Sequence, residues 1–219
     1  MKIKPRTFSD YATIGFPAGM LMAFFVIPFG IMIAVSFFQR VQGAFYEPAF
    51  VFDNYARFLT SFFGGILGFS IGLAALVAVV SVLLAFPFTY ILTRMARRTQ
   101  VVWLVFLLSV LSLSEVLIGF GWSTLLSRTA GISNLLVAVG ILDKPMSLSP
   151  SFGAVLTGMV YQTFPYTVLV LFPALSRLDP SLVEVARTLG SGPVRSFLNV
   201  VVPALRNSIV STLIMVFVF

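Results

Sequence analysis

Asp179–Pro203 reads DPSLVEVARTLGSGPVRSFLNVVVP and is the longest polar interruption in the late part of a very apolar chain. Asp179 can cap a helix that begins at Pro180, because a proline in the first turn loses no hydrogen bond. Gly190 can end that helix, and Pro193 allows a second helix to start. Apolar residues recur at helical spacing in both halves, as Leu182, Val183, Ala186 and Leu189 and then as Val194, Phe197, Leu198 and Val201. The stretch therefore predicts two short helices joined by a turn, with an apolar face.

The composition around this stretch is that of a membrane protein. Hydrophobic residues make up 59% of the 219 residues, charged residues make up 10%, and the mean hydropathy is +1.05. These values exceed what a soluble domain needs to fill its core, so we predict an all-α integral membrane protein. The net charge of +7 comes from short basic clusters between apolar runs. Such clusters are typical of cytoplasmic loops, and we expect no nucleic acid as a partner.

The residue inventory also excludes several kinds of chemistry. Cys and His are both absent, which excludes disulfides, Cys/His zinc sites and a histidine general base. The seven acidic residues lie apart, without a pair at catalytic spacing. No G-x-x-x-x-G-K-[ST] motif occurs, so ATP hydrolysis would need a separate polypeptide. We therefore predict no enzymatic activity, no metal and no cofactor in this chain.

Five apolar runs alternate with polar segments, at 11–38, 64–92, 101–126, 152–175 and from 204 to the last residue. As a helix, the first run is about 42 Å long, which exceeds the roughly 30 Å hydrocarbon core. A cleaved signal peptide is the alternative interpretation of this run, but no A-x-A site closes it. We predict a cytoplasmic N-terminus over 1–10 and a single transmembrane domain over 11–219. Between the first two runs, FDNYARFL (52–59) predicts a short helix at the membrane surface.

The basic residues predict the orientation of these spans. Placing the N-terminus, the 94–98 cluster and the 176–207 segment on one side gives that side ten of the fourteen Lys and Arg. Because cytoplasmic loops carry the excess of Lys and Arg, this side is predicted to be the cytoplasm. Because successive spans cross the membrane in opposite directions, the same three segments fall on one side of it. The two-helix stretch is then predicted to face the cytosol.

The spacing within this stretch resembles the EAA loop, E-A-A-x3-G-x9-I-x-L-P, of the permease subunits of binding-protein-dependent ABC importers. The matching positions are Glu184, Ala186, Gly190, Val200, Val202 and Pro203. Val185 replaces the first alanine of the pattern, and valine replaces its isoleucine and leucine. An amphipathic re-entry loop of another kind of membrane protein is the alternative interpretation.

The resemblance implies a fold, a location and a set of partners. The fold would be a type I permease helical bundle in the bacterial inner membrane, with five spans begun here and a sixth expected beyond residue 219. Two ATP-binding cassette subunits would bind ATP and Mg, and the loop over 176–203 would dock on them. A second permease subunit, identical or homologous, and a periplasmic or lipid-anchored substrate-binding protein would complete the assembly within the membrane lipid. The loop residues that would couple to the ATPase subunit are Glu184, Ala186, Arg187, Gly190 and Pro203.

Glu115 is the other candidate functional residue, because it lies inside the third apolar run, far from any other charge. A carboxylate at membrane depth is costly, so by default it faces a cavity or a partner. Ser112, Gly119 and Trp122 would be its helical neighbours and complete a candidate substrate pathway. A carboxylate beside an indole ring suits an organic cation. Two alternatives are a position near the outer interface and a hydrogen bond to a neighbouring helix.

The run from Trp122 to Pro145 resembles the permeases of the spermidine/putrescine group, with iron, thiamine and opine systems also similar. We therefore predict a permease subunit that forms the translocation pathway for a polyamine-like or other small organic cation and is driven by a separate ATPase. The alternative from another class is a secondary transporter or channel that needs no ATPase.

Overall fold

The computed structural model describes the backbone of residues 8–39, 41, 43, 46–129 and 131–219, and the side chains from residue 15 onward within those ranges. Most of the predicted cytoplasmic segment 1–10 lies outside the described residues. The backbone contacts divide the chain into two compact units, one ending at Gly68 and one running from Phe69 to Phe219. The single transmembrane domain over 11–219 stays a prediction.

A long helix dominates the unit that ends at Gly68. It consists of α1 (Phe8–Leu21), a π-helical turn (Met22–Val26) and α2 (Ile27–Ser36), which follow one another directly. The wide turn precedes Pro28, which has no N–H to donate. The N–H of Ile27 instead donates to the carbonyl of Met22, five residues back. The helix therefore continues through the proline.

The connection after α2 is held by aromatic packing and by one amide. Helix α3 (Asp53–Phe58) confirms the short helix predicted from FDNYARFL. Asn54 donates to the carbonyls of Ser36 and Phe38, both at 2.9 Å, and so closes the end of α2. The rings that pack together here are Phe37, Phe50, Phe52 and Tyr55.

The rest of the chain is also helical. The elements are α4 (Ser61–Thr93), α5 (Arg97–Leu111), α6 (Glu115–Leu125), α7 (Ile132–Ala138), α8 (Phe152–Ser176), α9 (Pro180–Thr188), α10 (Pro193–Ser196), a π-helical turn (Phe197–Val201), α11 (Val202–Ala204) and α12 (Arg206–Val218). Within the described residues, extended pairing is limited to a single bridge between Gln39 and Glu47. The predicted all-α class is confirmed.

Within the part of the chain that the structure describes, three helices are long and apolar enough to cross a membrane, namely Gly15–Ser36, Ser61–Thr93 and Phe152–Ser176. Two bent helix pairs bring the number to five if each pair is one span. The pairs are α5 with α6, bent by 91°, and Pro193–Ala204 with α12, bent by 75°. The third apolar run is thus a broken helix and the fifth begins at a bend, features that hydropathy does not reveal.

Local chemistry accounts for the first break. After α5, the N–H of Ser112 is shared between the carbonyls of Leu108 and Ser109, and Ser114 takes an extended conformation with ψ 133°. Serines favour such breaks because their hydroxyls compete with the helical hydrogen bonds. The second break lies at Leu205, with φ −107° and ψ 15°, two residues after Pro203, whose missing N–H the preceding π-helical turn accommodates as it does at Pro28.

Helices α4 and α8 form the centre of the core in the unit from Phe69 to Phe219. The buried apolar cluster takes Ala85, Phe86 and Leu92 from α4, Val168, Leu171 and Leu175 from α8, and Leu107, Val183 and Val201 from other elements. A buried hydrogen bond of 2.6 Å joins the hydroxyls of Ser81 and Thr163 across the two helices. Such hydroxyl pairs hold membrane helices together, because lipid offers them no partner.

The connection between α6 and α8 folds tightly around Gly131. A Cβ added at Gly131 would overlap the backbone carbonyl oxygens of Leu125 and Ser127. The N–H of Leu148 donates to the carbonyl of Leu126 at 2.9 Å. The two ends of this loop are therefore joined at the C-terminus of α6.

Candidate functional site

The first helix of the 176–203 loop begins as the sequence predicts. Asp179 takes an extended conformation, and its carboxylate accepts a 2.9 Å hydrogen bond from the N–H of Ser181. Pro180 is the first residue of α9. The backbone N–H of Ser181, followed by its side chain, holds the pKa of Asp179 below its usual value. The cap is therefore strongest with the carboxylate ionised.

Gly190 ends α9 in a left-handed conformation, with φ +84°. The N–H of Gly190 donates to the carbonyl of Arg187, and the N–H of Ser191 donates to the carbonyl of Ala186. This pair of bonds is the Schellman arrangement, which satisfies the last carbonyls of a helix. The predicted left-handed turn at Gly190 is confirmed, and it sets the angle between α9 and α10.

One side of the loop is anchored in the core. Val183 is only 2% exposed, and Val201 is fully buried. The ring of Phe197 packs 5.4 Å from the ring of Phe86 and 5.0 Å from that of Tyr90, both on α4. Any displacement of the loop would therefore press on α4 and α8.

The other side of α9 is apolar and uncovered. We call this surface the outer patch, and it consists of Leu182, Val185 and Leu189. Leu189 is the most exposed of the three, at 82%. The apolar residues predicted to share one face thus divide between the core and the solvent. Glu184 and Arg187 lie on the exposed part of the same helix, and Ala186 is half-buried.

Pro203 lies beyond the second half of the loop. It belongs to α11, directly after the π-helical turn, and is exposed. Its place at the 75° bend makes it the boundary between the loop and α12.

Glu115 is the first residue of α6, immediately after the 91° break. A carboxylate in the first turn of a helix is stabilised by the unpaired N–H groups there. Glu115 is exposed in the single chain and lines a small cavity of about 50 Å³ together with Gln162 of α8. The volume suffices for one or two waters, at roughly 30 Å³ each. A larger ligand would need part of its site from elsewhere.

Gln162 was not among the residues selected from the sequence. It lies 47 positions from Glu115 and belongs to a different span, so no spacing rule connects the two. The only sequence signal was the occurrence of a polar amide in an apolar run.

The other predicted pathway residues, Ser112, Gly119 and Trp122, do not all lie beside Glu115. Ser112 is not a helical neighbour of Glu115, because the helix ends at Leu111 and the Ser112 hydroxyl donates to the carbonyl of Leu108. This part of the predicted stripe is wrong. Gly119 lies on α6, and a Cβ added there would meet open space.

Trp122 lies against Tyr161 of α8, with ring centroids 5.6 Å apart and the rings edge to face. Both residues line a cavity of about 380 Å³ that is distinct from the small cavity at Glu115. Leu113 and Ile118 line both cavities and so separate the carboxylate from the indole. Substrate contact by these residues stays a prediction.

In the part of the chain that the structure describes, no three His, Cys, Asp or Glu residues lie close enough together to hold a metal ion. The two candidate sites are a docking surface on α9 and the small cavity lined by Glu115 of α6 and Gln162 of α8.

Comparison with known proteins finds one matching family. The family of inner membrane components of binding-protein-dependent transport systems matches residues 95–219, which include both candidate sites. The chain is 29% identical over 199 residues to the spermidine/putrescine transport system permease protein PotB of Salmonella typhimurium, covering 90% of this chain and 69% of that protein. It is 24% identical over 216 residues to the protein of the same name from Haemophilus influenzae, covering 99% and 75%. It is 23% identical over 201 residues to the ferric transport system permease protein FbpB of Actinobacillus pleuropneumoniae, covering 91% and 28%.

Proposed function

This chain belongs to the family of inner membrane components of binding-protein-dependent transport systems, and on that premise we propose that it forms the translocation pathway and couples it to a separate ATPase. As a member, it is a multi-pass permease of the inner membrane and one part of a larger assembly. Its family serves transport and not catalysis.

The outer patch is the observation that supports the coupling role. An apolar helical face of three residues, with Glu184 and Arg187 beside it, suits insertion into a groove of a partner protein. The opposite side of the loop is anchored through Val183 and Phe197 to α4 and α8. A push on α9 would thus reach the membrane helices directly.

The proposed partners follow from this role. Two ATP-binding cassette subunits bind ATP and Mg and receive the outer patch of each permease subunit. A second permease subunit, identical or homologous, faces this one across the pathway. A periplasmic or lipid-anchored binding protein delivers the substrate from the other side. A secondary transporter or channel would leave the outer patch without a function.

The proposed substrate is a polyamine-like or other small organic cation. The relatives named for spermidine/putrescine and for ferric transport are both named for cations. In this chain Glu115 supplies the negative charge and Gln162 a neutral amide beside it. A passing cation offsets the desolvation of the carboxylate, whereas an anion would be repelled. The cavity at Glu115 in one chain is too small for such a cation, so groups from the second permease subunit would supply the rest of the site.

Docking through the outer patch can be tested by purification of the assembled transporter. We expect Leu189→Asp to release the ATPase subunit, because a desolvated carboxylate in an apolar contact costs several kcal/mol. Glu184→Lys should weaken the contact in the same direction. Thr188→Asp is the matched control, since Thr188 is the exposed neighbour and lies outside the outer patch. Equal recovery of the ATPase with both aspartate variants would refute docking at this surface.

The proposed orientation has its own test. A reporter fused after Arg98 is expected to be cytoplasmic and one fused after Asp143 periplasmic, because ten of the fourteen basic residues then face the cytosol. Since α5 and α6 are bent by 91°, they could instead form a re-entrant loop. Detection of both reporters on one side would establish that loop and overturn the orientation.

A further inference from the structure

An aromatic groove lies between α4, α5, α6 and α8. It shares Val110 with the small cavity at Glu115, and Trp122 and Tyr161 with the cavity of about 380 Å³. Its volume is about 350 Å³. Six rings line it: Phe88, Trp103, Phe106, Trp122, Tyr161 and Phe164. We call this feature the aromatic groove.

Packing between the rings gives the groove a preformed wall. Phe88 meets Trp103 at 5.5 Å and Phe164 at 5.4 Å, and Trp122 meets Tyr161 at 5.6 Å, all edge to face. Edge-to-face contacts hold ring orientations in place. Trp103 and Phe106 are also exposed at the outer surface of the chain, so the groove opens sideways.

The groove lies at the depth of the hydrocarbon layer. Its residues on α5 run from Trp103 to Val110, about 9 to 20 Å along the helix from Arg97. Its residues on α8 run from Thr157 to Pro165, about 7 to 20 Å from the start of that helix. Both intervals fall inside a core roughly 30 Å thick. The sideways opening therefore faces lipid chains and not water.

The chemistry of the lining favours an apolar occupant over the transported cation, because ring faces are the only cation-binding groups that it offers. Among the described residues that line the groove there is no Asp, Glu, Lys or Arg. The polar groups of the lining are the hydroxyls of Thr157 and Tyr161 and the indole N–H groups of Trp103 and Trp122, and the Thr157 hydroxyl donates to the carbonyl of Gly153 at 2.7 Å. A cation here would lose its hydration without gaining a counter-charge.

We propose that an acyl chain of a bilayer phospholipid occupies the aromatic groove, lying along Trp103 and Phe106 between α5 and α8. An empty groove would forfeit the dispersion contacts of its rings. Because the bilayer and the groove are both apolar, the hydrophobic effect does not hold the acyl chain in place. Packing against the rigid rings holds it instead. Bound lipid therefore exchanges with the bilayer but occupies a defined position.

Photochemical labelling of the full-length permease, purified with its accompanying subunits into nanodiscs, tests this proposal. The probe is a phosphatidylcholine with a diazirine in the middle of one acyl chain, added at increasing mole fraction. Labelled residues are mapped by peptide mass spectrometry. We expect labelling of Trp103 and Phe106 to saturate at low probe fraction, because a site fills by mass action. Labelling of Leu83, a 67% exposed residue of α4 that does not line the groove, should rise in proportion to the probe.

Two neighbouring substitutions provide a matched comparison. Leu84 lines the groove and is 53% exposed, so Leu84→Phe adds volume at its edge without disturbing the buried core. It should lower saturable labelling about threefold, the ratio expected when a handful of van der Waals contacts are lost. Leu83→Phe should leave the saturable labelling unchanged. Gel filtration confirms that each variant assembles.

Three outcomes would overturn the proposal. Non-saturating labelling of Trp103 and Phe106 in the parental protein would mean that lipid only passes over the groove, and this measurement requires no variant. Absence of labelling there, with Leu83 labelled, would mean that a protein partner covers the groove. Equal saturable labelling of the Leu84→Phe and Leu83→Phe proteins would mean that the acyl chain binds elsewhere. None of these results would affect docking at the outer patch.

Discussion

Substrate-stimulated ATP hydrolysis and transport are both expected to fall about tenfold or more when Gly190 is replaced by valine. Gly190 holds φ +84°, where an L-residue costs roughly 1–2 kcal/mol and a β-branched side chain costs more. The Schellman turn would open to relieve this strain, and the angle between α9 and α10 would change. The outer patch would then meet the ATPase in the wrong direction. Reconstituted vesicles with purified subunits give both rates.

Gly192→Val is the matched control for this experiment. Gly192 lies two residues away, has φ −66° and ψ 165°, and has no atom within 4 Å of an added Cβ. Valine adopts this extended conformation readily, so the variant should retain its coupling. Membrane insertion should survive in both proteins. Equal coupling in Gly190→Val and Gly192→Val would show that the turn does not transmit the motion.

Transport of a polyamine-like cation is expected to fall about tenfold to a hundredfold in Glu115→Gln. The substitution keeps the shape of the side chain and removes its charge, and a hydrogen bond to a charged group contributes about 1.5–3 kcal/mol. Trp122→Ala should act in the same direction but less, because Trp122 lines the neighbouring cavity. Initial rates of uptake into vesicles measure both effects.

Glu47→Gln serves as the control for the loss of a negative charge. Glu47 is an exposed carboxylate in the connection between α2 and α3, so its neutral variant should transport at the parental rate. Efficient transport of an anion by the parental protein would contradict a cation pathway at Glu115. Transport of the cation at the parental rate by the Glu115→Gln protein would equally contradict a cation pathway at Glu115.

Local features of the 176–203 loop were readable from the sequence, because short-range chemistry determines them. Asp179 before a proline specifies a capped helix start, and Gly190 specifies a left-handed end. The EAA-like spacing then led to the family, which the comparison confirms. Hydropathy located the apolar runs, since length and composition alone decide which segments can span a bilayer.

Features that depend on tertiary packing were not readable. The apolar residues of α9 divide between core and surface according to which helices lie beneath them, so Val183 is buried whereas Leu189 is not. The break after Leu111 removes Ser112 from the stripe of Glu115, although helical spacing alone places them together. Glu115 and Gln162 line one cavity from two different helices, and no periodicity relates them.

The 91° break in the third span also determines how much of the membrane voltage acts on the cargo. Helix α5 has 15 residues and rises about 22 Å, so Glu115 lies most of the way across the bilayer from the proposed cytoplasmic side. A cation that leaves Glu115 for the cytosol thus moves through most of the electric field. Crossing the whole field releases about 2.3 kcal/mol per elementary charge per 100 mV in an inside-negative cell, or about 7 kcal/mol for a trivalent cation, and the path from Glu115 would capture most of this free energy. For the proposed orientation and a cationic cargo at Glu115, inward release would be electrogenic, and the resting potential itself would oppose backflow of the cargo.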